Sequence, residues 1–229
     1  MKPMLRVLEP ELLDELPPAD PRAIQSRRDL QRINWWMRNP HFVAKALRKS
    51  LPHPPKRMAD LGAGDGAFSL ELARKLSPHW KQVELVLVDR QPATVCRAQS
   101  FTALGWRSEF AVADVFEWLN REEKFDCIYA NLFLHHFSSE QLRELFEKIA
   151  RRTSCFVAVE PQRYRFSSTV RFLLWAIGCN DVTRNDGVIS VRAGFRGQEL
   201  SELWPKSGNW KLTETRSGLF SQVFSASKG

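Results

Sequence analysis

The spacing of apolar residues along this chain changes near residue 56. Before it, Ile24, Leu30, Ile33 and Met37 recur near helical spacing, and Phe42, Val43, Ala46 and Leu47 form a second short run. Asp20-Pro21 and Asn39-Pro40 supply start signals, a capping side chain followed by the proline that a first helical turn tolerates. Two helices are predicted here, the first basic and amphipathic through Arg27, Arg28 and Arg32. Pro3, Pro10, Pro17 and Pro18 make the first twenty residues an irregular arm with at most one short helical turn. Leu51-Pro52 and Pro54-Pro55 predict a linker.

From Lys56 onward, short apolar runs alternate with helical patterns. Residues 57–61, 83–88, 110–112, 125–130 and 155–159 read as buried strands. Between them, residues 67–76, 93–104 and 139–151 read as helices, the last opened by a capping box of Ser138 and Gln141. This alternation predicts a doubly wound α/β domain with a mostly parallel sheet. Residues 162–195 form an insertion after the fifth strand, with an apolar helix over 166–177 followed by a polar stretch, Asn180 to Gly187. A helix near 197–204 and two strands, 210–215 and 221–226, complete the pattern as an antiparallel C-terminal hairpin.

A length of 229 residues suits one domain, and 43% hydrophobic with 26% charged residues is an ordinary globular balance. The most apolar run, Val170 to Cys179, is interrupted by Arg171 and is far below the roughly 20 residues that span a bilayer. Glu9, Glu11, Asp14 and Glu15 interrupt any secretory-signal pattern. Cys96, Cys127, Cys155 and Cys179 lack metal-ligand or disulfide spacing, so no metal is expected and a cytoplasmic location is. Net charge is uneven: +6 over residues 1–57, −3 over 58–160 and +5 over 161–229. Such a field attracts an anionic substrate, a nucleic acid or a lipid surface, or simply keeps the protein solvated.

The most specific segment is Asp60-Leu61-Gly62-Ala63-Gly64-Asp65-Gly66, where a strand ends, the chain turns through alternate glycines and a helix begins. Glycines let a backbone turn tightly and let a ligand approach without a Cβ in the way. Asp89, Asp114 and Asn131 end the next three strands, so polar groups gather along one rim of the sheet. A carboxylate at the end of the second strand can accept hydrogen bonds from two ribose hydroxyls, although Asp114 is also placed to cap a helix.

These segments, with Asp89-Arg90, Ala113-Asp114-Val115 and Asn131-Leu132-Phe133-Leu134-His135-His136-Phe137, resemble the ordered motifs of class I, S-adenosylmethionine-dependent methyltransferases of the small-molecule type. The resemblance implies a Rossmann-like, seven-stranded sheet over residues 56–229, preceded by an N-terminal helical extension over 1–55 that caps the substrate, with 162–195 as a lid. It also implies S-adenosyl-L-methionine as cofactor. Asp60 would support its amino group, Gly62, Gly64 and Gly66 would border its methionine part, and Asp89 would hold the ribose. Arg90 would flank the adenine, Asp114 and Val115 would meet its edge, and Asn131 would lie near the methionine end.

The same loop also satisfies the G-x-G-x-x-G/A dinucleotide pattern, so an NAD(P)-dependent oxidoreductase is a rival, as is a non-catalytic cofactor-binding module. Asp60 would sit awkwardly beside a pyrophosphate and suits a cationic cofactor better. Methyl transfer needs alignment above all, helped by a general base where the acceptor is a hydroxyl or carbon acid. His136, His135 and Glu160 are the candidates; either histidine could instead pack or cap the next helix, and Glu160 could pair with Arg163 or Arg165. Trp35, Trp36, Trp175, Arg184 and Arg192 are expected to line an aromatic, basic pocket for an acidic or phenolic acceptor taking O- or C-methylation. An RNA-modifying methyltransferase is the other partner reading. It is weakened because Asn131-Leu132-Phe133-Leu134 departs from the Asn/Asp-Pro-Pro-aromatic pattern of enzymes that methylate base amines. The oligomeric state is not legible.

Overall fold

The computed structural model describes all residues except 1–4, 18, 94–96 and 165–166. Cys96, Arg165 and the starts of two expected helices, at 93–96 and at 166, therefore fall wholly or partly outside the described residues. The domain is a seven-stranded sheet in the order β3-β2-β1-β4-β5-β7-β6. Its strands are β1 (Arg57–Leu61), β2 (Glu84–Asp89), β3 (Arg107–Val112), β4 (Cys127–Asn131), β5 (Cys155–Pro161), β6 (Trp210–Ser217) and β7 (Ser221–Lys228). The first five are mutually parallel, and β7 runs antiparallel between β5 and β6. Strand order reverses between β1 and β4, the point where open α/β sheets leave a crevice past the strand ends. Both faces are covered. Met58, Leu72, Tyr129 and Val157 pack into one apolar layer, and Leu61, Ile128, Phe146 and Trp204 into the other.

The helices are α1 (Leu12–Glu15), α2 (Pro21–Trp36), α3 (Asn39–Ser50), α4 (Ala67–Leu76), α5 (Ala98–Ala103), α6 (Val115–Trp118), α7 (Ser139–Arg152), α8 (Ser167–Ala176), α9 (Asp181–Ala193) and α10 (Glu199–Leu203), with a 3₁₀ turn at Leu134–His136. The Ser138 hydroxyl accepts from the Gln141 amide and the Gln141 side chain from the Ser138 amide, so the capping box forms. Two helices differ from the sequence pattern. In α2 the buried face is Ala23, Ser26 and Asp29, while Ile24 is exposed. Asp29 explains the inversion. Fully buried, it accepts from the Arg32 guanidinium at 2.6 Å, the Gln25 amide at 2.9 Å, the Asn180 backbone at 2.8 Å and the Thr183 hydroxyl at 3.2 Å.

The second difference is α9, which occupies the stretch that reads as polar. Asn180 caps it through the Thr183 amide, and Val182, Ile189 and Val191 turn inward. Gly187 lies where α8 crosses closely; a Cβ there would come within 2.5 Å of Leu174 Cδ1. A residue that ordinarily weakens a helix is here the one that lets two helices touch.

Replacing Asp29 by Ala removes the acceptor of the Asn180 amide and leaves the Thr183 hydroxyl only Ser26 at the interface between α2 and α9. A loss of about 3 kcal/mol is expected from removing one partner of a buried charged network. Thermal unfolding should fall by roughly 6–12 °C at this chain length. A melting temperature within about 2 °C of the parent would contradict this reading of α2.

Candidate active site

A cavity of about 840 Å³ lies past the carboxyl ends of β1, β2 and β4. The turn after β1 forms its floor. Gly62 and Gly64 have φ of +73° and +56°, left-handed values that suit glycine. A Cβ on Gly62 would run into the Phe133 ring at 2.2 Å, whereas the space in front of Gly64 is open. Gly66 also has a left-handed φ, of +75°, but it is not in the cavity wall; it turns the chain into α4 against Leu87.

Asp60, at the end of β1, is buried and lines this floor. Its Oδ2 accepts from the Ser69 hydroxyl at 2.5 Å, and Ser69 Oγ is 2.6 Å from the Tyr129 hydroxyl. Its Oδ1 has no partner. Burial pushes the carboxyl up to about 8; the Ser69 hydrogen bond opposes the shift and the Asp89 charge adds to it. An orphaned buried carboxylate oxygen facing a cavity is a site prepared for a cation or a donor.

Asp89 ties the rim together, accepting the Gly64 amide on Oδ2 at 2.8 Å and the Gln91 amide on Oδ1 at 2.9 Å. Each oxygen keeps a second lone pair. Asp114 caps α6 through the Phe116 amide at 2.8 Å and also lines the cavity. Arg90, Val115 and Asn131 are in the wall as well. Asn131 Oδ1 accepts from the buried Asn39 side chain at 3.2 Å, which joins β4 to the start of α3.

The three candidate bases separate sharply. Glu160, fully buried, is not in the wall. It accepts from the backbone amides of Phe133 at 2.9 Å, Leu134 at 2.7 Å and His135 at 3.3 Å, and from His135 Nδ1 at 2.8 Å. Arg163, expected as its partner, pairs with Glu199 instead. His135 is held at its other nitrogen by Glu11 at 3.3 Å. Burial opposes its charge, yet the two carboxylates outweigh this and raise its pKa to about 9. A histidine donating from both nitrogens has no lone pair to offer. His136 is different: it faces the cavity, and burial together with the neighbouring His135 charge lowers its pKa to about 4. It is neutral near pH 7.

The roof comes from residues that no spacing in the sequence singled out. The arm before α1 and α1 itself cross the cavity, contributing Leu8 and Glu11, and Leu13 and Asp14, to its wall. It is fastened by Arg6, which donates to the carbonyls of Ala193 at 2.8 Å and Phe137 at 3.0 Å and lies over the Phe195 ring. Asp186 of α9 accepts both the Leu12 and Leu13 amides at 2.9 Å. Helix α2 closes the other side, with Gln31 on Asp65 at 3.0 Å and Arg27 on Gln91 at 3.3 Å.

The expected aromatic, basic pocket is not built. Trp35, Trp36 and Trp175 are 72%, 65% and 59% exposed. Trp175 and Arg184 flank a separate shallow depression with Arg171 and Phe172, and Arg192 lies 3.9 Å from Glu9 outside the cavity wall. The indoles lie on outer surfaces because α2 buries its small, polar face around Asp29.

Residues 58–154 match the family described as Methyltransferase domain. The trans-aconitate 2-methyltransferase of Streptomyces avermitilis is 32% identical over 87 residues, 37% of this chain and 30% of that protein's length. The plantazolicin methyltransferase BpumL, solved with SAH, superposes with a TM-score of 0.64 at 13% identity over 92% of each chain. An O-methyltransferase family protein from Burkholderia thailandensis superposes with a TM-score of 0.62 at 14% identity, over 92% of this chain and 61% of that one. At such identities the superpositions speak for the fold. Residues 58–154 are thus similar to the methyltransferase-domain family, and the chain as a whole has the Rossmann-like fold of these solved structures.

Proposed function

We propose that this protein moves a methyl group from S-adenosyl-L-methionine to a small-molecule acceptor held in the roofed cavity. The observation that carries the reading is Asp60: a buried carboxylate with one unpartnered oxygen, set beside a glycine turn that leaves open space in front of Gly64. A cofactor with an ammonium and a sulfonium matches that electrostatic demand, and a pyrophosphate opposes it. Asp60 receives the ammonium, the free lone pairs of Asp89 the ribose hydroxyls, and the second oxygen of Asp114 the adenine amino group. Val115 and Arg90 border the adenine, Asn131 adjoins the methionine end, and Gly66 serves the turn rather than the ligand.

When bound, the cofactor supplies a carbon already activated for displacement. The chain's own residues then align the acceptor, exclude water and take a proton. The N-terminal arm with α1, α2 and the end of α9 form the cap. The cover within 1–55 thus narrows to residues from Leu8 to Asn34, while α3 packs into the core through Val43, Ala44 and Leu47. The lid role within 162–195 narrows to Ile189, Ser190 and Ala193. His136, neutral and facing the cavity, accepts the acceptor's proton. Glu160 and His135 are positioning residues that hold the turn carrying His136. Of the α2 arginines that an RNA reading would use, Arg27 donates to Gln91 and Arg32 pairs with Asp29. No helix among the described residues is long and apolar enough to cross a membrane, and Cys127, Cys155 and Cys179 are unpaired, which supports a reducing cytosol.

The direct test is transfer of a labelled methyl group from S-adenosylmethionine into fractionated small-molecule, lipid and RNA extracts. Label in the small-molecule fraction is expected; label confined to RNA would contradict the reading. Binding of the cofactor should also depend on pH. The carboxyl of Asp60 is neutral below about pH 8 in the free site and ionised against the ammonium, so binding releases a proton and tightens as pH rises. Calorimetric Kd should fall severalfold, up to about tenfold per pH unit, between pH 6 and 8. D60N should bind weakly with a flat profile on that limb; a wild-type Kd that is flat or rises would contradict the assignment. Finally, H136Q should lower methyl incorporation by roughly 10²–10⁴-fold with cofactor Kd unchanged, the usual contribution of a positioned base. Turnover within threefold of the parent would remove His136 from that role.

A further inference from the structure

The two ends of the cavity differ in charge in a way the cofactor does not explain. Among the described residues its wall holds seven carboxylates and two guanidiniums, those of Arg27 and Arg90. Both cations lie past the end of β2, where Arg27 also meets Gln91, away from His136. Around His136 the charges are different. The arm brings in Glu9, Glu11 and Asp14, and Asp14 Oδ2 lies 3.7 Å from His136 Nδ1. His135 is clasped between Glu11 and Glu160, and Arg6 donates to the His135 and Phe137 carbonyls beside them, so among the described residues the carboxylates of Glu9, Glu11, Asp14 and Glu160 outnumber these two cations. Arg192 reaches Glu9 from outside the wall, at 3.9 Å. The rest of this end is mostly apolar, with Leu8, Pro10, Leu13, Phe137, Ile189 and Ala193 beside the polar side chains of Gln141 and Ser190.

We propose that the acceptor is an uncharged or cationic molecule rather than a carboxylate, with an apolar, ring-sized body seated among Leu8, Leu13, Phe137 and Ile189 and a hydroxyl or amine turned toward His136. The inference rests on the methyl-transfer reading and narrows its acceptor class, replacing the acidic acceptor that the lysines and arginines of the sequence suggest. Glu11 lies inside this end while Glu9 and Asp14 line its open mouth, 45% and 65% exposed, so an incoming anion meets carboxylates from entry onward and a cation is favoured. The same excess is felt by Asp14. Its carboxyl is raised to about 6 by desolvation at the cavity mouth and by the charges of Glu11, Asp186 and Asp89. A negative surrounding also holds an acceptor hydroxyl in its neutral form until transfer, which is when a neutral His136 is useful. Glu9 and Asp14 then act as specificity determinants, excluding anions without touching the methyl donor.

Three phenols with matched bodies separate the effects: 4-ethylphenol, tyramine and 4-hydroxyphenylacetate, which are neutral, cationic and anionic at pH 7.5. Their Kd values would be measured by calorimetry on protein saturated with S-adenosylhomocysteine, for the parent and for the E9Q/D14N double variant, with a thermal melt to establish folding. The anion is expected to bind at least about tenfold more weakly than 4-ethylphenol, and tyramine at least as tightly as 4-ethylphenol. In E9Q/D14N the gap between anion and neutral phenol should close to within about threefold. An anion binding within threefold of the neutral phenol in the parent overturns the proposal. So does tyramine penalised as much as the anion, since burial alone would then account for both. An unaltered gap in the folded double variant, or binding of none of the three, overturns it too. Failure of S-adenosylhomocysteine itself to bind is a separate outcome, and removes the methyl-transfer reading together with this one.

Discussion

One buried carboxylate organises the end of the cavity where His136 lies. Glu160, at the end of β5, takes three consecutive backbone amides from the turn that leaves β4 and a fourth hydrogen bond from His135. A carboxylate out of reach of water is tolerable only with such a full set of donors. Its consequences run in two directions. Toward the cavity, it fixes the 3₁₀ turn that presents His136 and seats the Phe133 ring over Gly62, closing the space that a Cβ would need. Toward the N-terminus, it charges His135, which binds Glu11 and so helps fasten the arm that roofs the site. The roof, the floor and the proposed base therefore meet at one ion.

The two histidines show how neighbours in sequence take opposite roles through environment alone. His135, buried between two carboxylates, is pulled to about 9; His136, partly desolvated beside that charge and without two carboxylates hydrogen-bonded to it, is pushed to about 4. Asp60 and Asp89 divide similarly. Asp89 is satisfied by two amides that shape the rim, whereas Asp60 is left with an oxygen that has no partner among the described residues. Separations of this kind between like groups mark places where chemistry is prepared.

Much of the fold and of the cavity floor was legible because its signals are local. Gly62, Gly64, Asp60, Asp89 and Asp114 follow one another at strand ends, and a strand-turn-helix pattern says where strand ends lie. The helix 67–76 and the capping box at Ser138 were also readable from a few adjacent residues. The roof was not. Glu11, Arg6 and Asp186 meet their partners across more than 120 residues of sequence, and nothing in an irregular, proline-rich arm announces that it will be pinned. The tryptophans misled for a related reason: an aromatic residue reads as pocket or core by default, yet α2 rotates to satisfy Asp29 and leaves Trp35 and Trp36 outside. Glu160 was found as a candidate, and only its set of donors shows that it supports the site from beneath.

The account stands or falls on what occupies the cavity past β1, β2 and β4. A crystal structure of the protein grown with S-adenosylhomocysteine tests this most directly. It should place the amino group against Asp60, the ribose on Asp89 and the sulfur on the side facing His136, with the Glu11–His135–Glu160 chain intact. Density for the ligand elsewhere, or a filled cavity with Asp60 Oδ1 still unpartnered, would contradict the account.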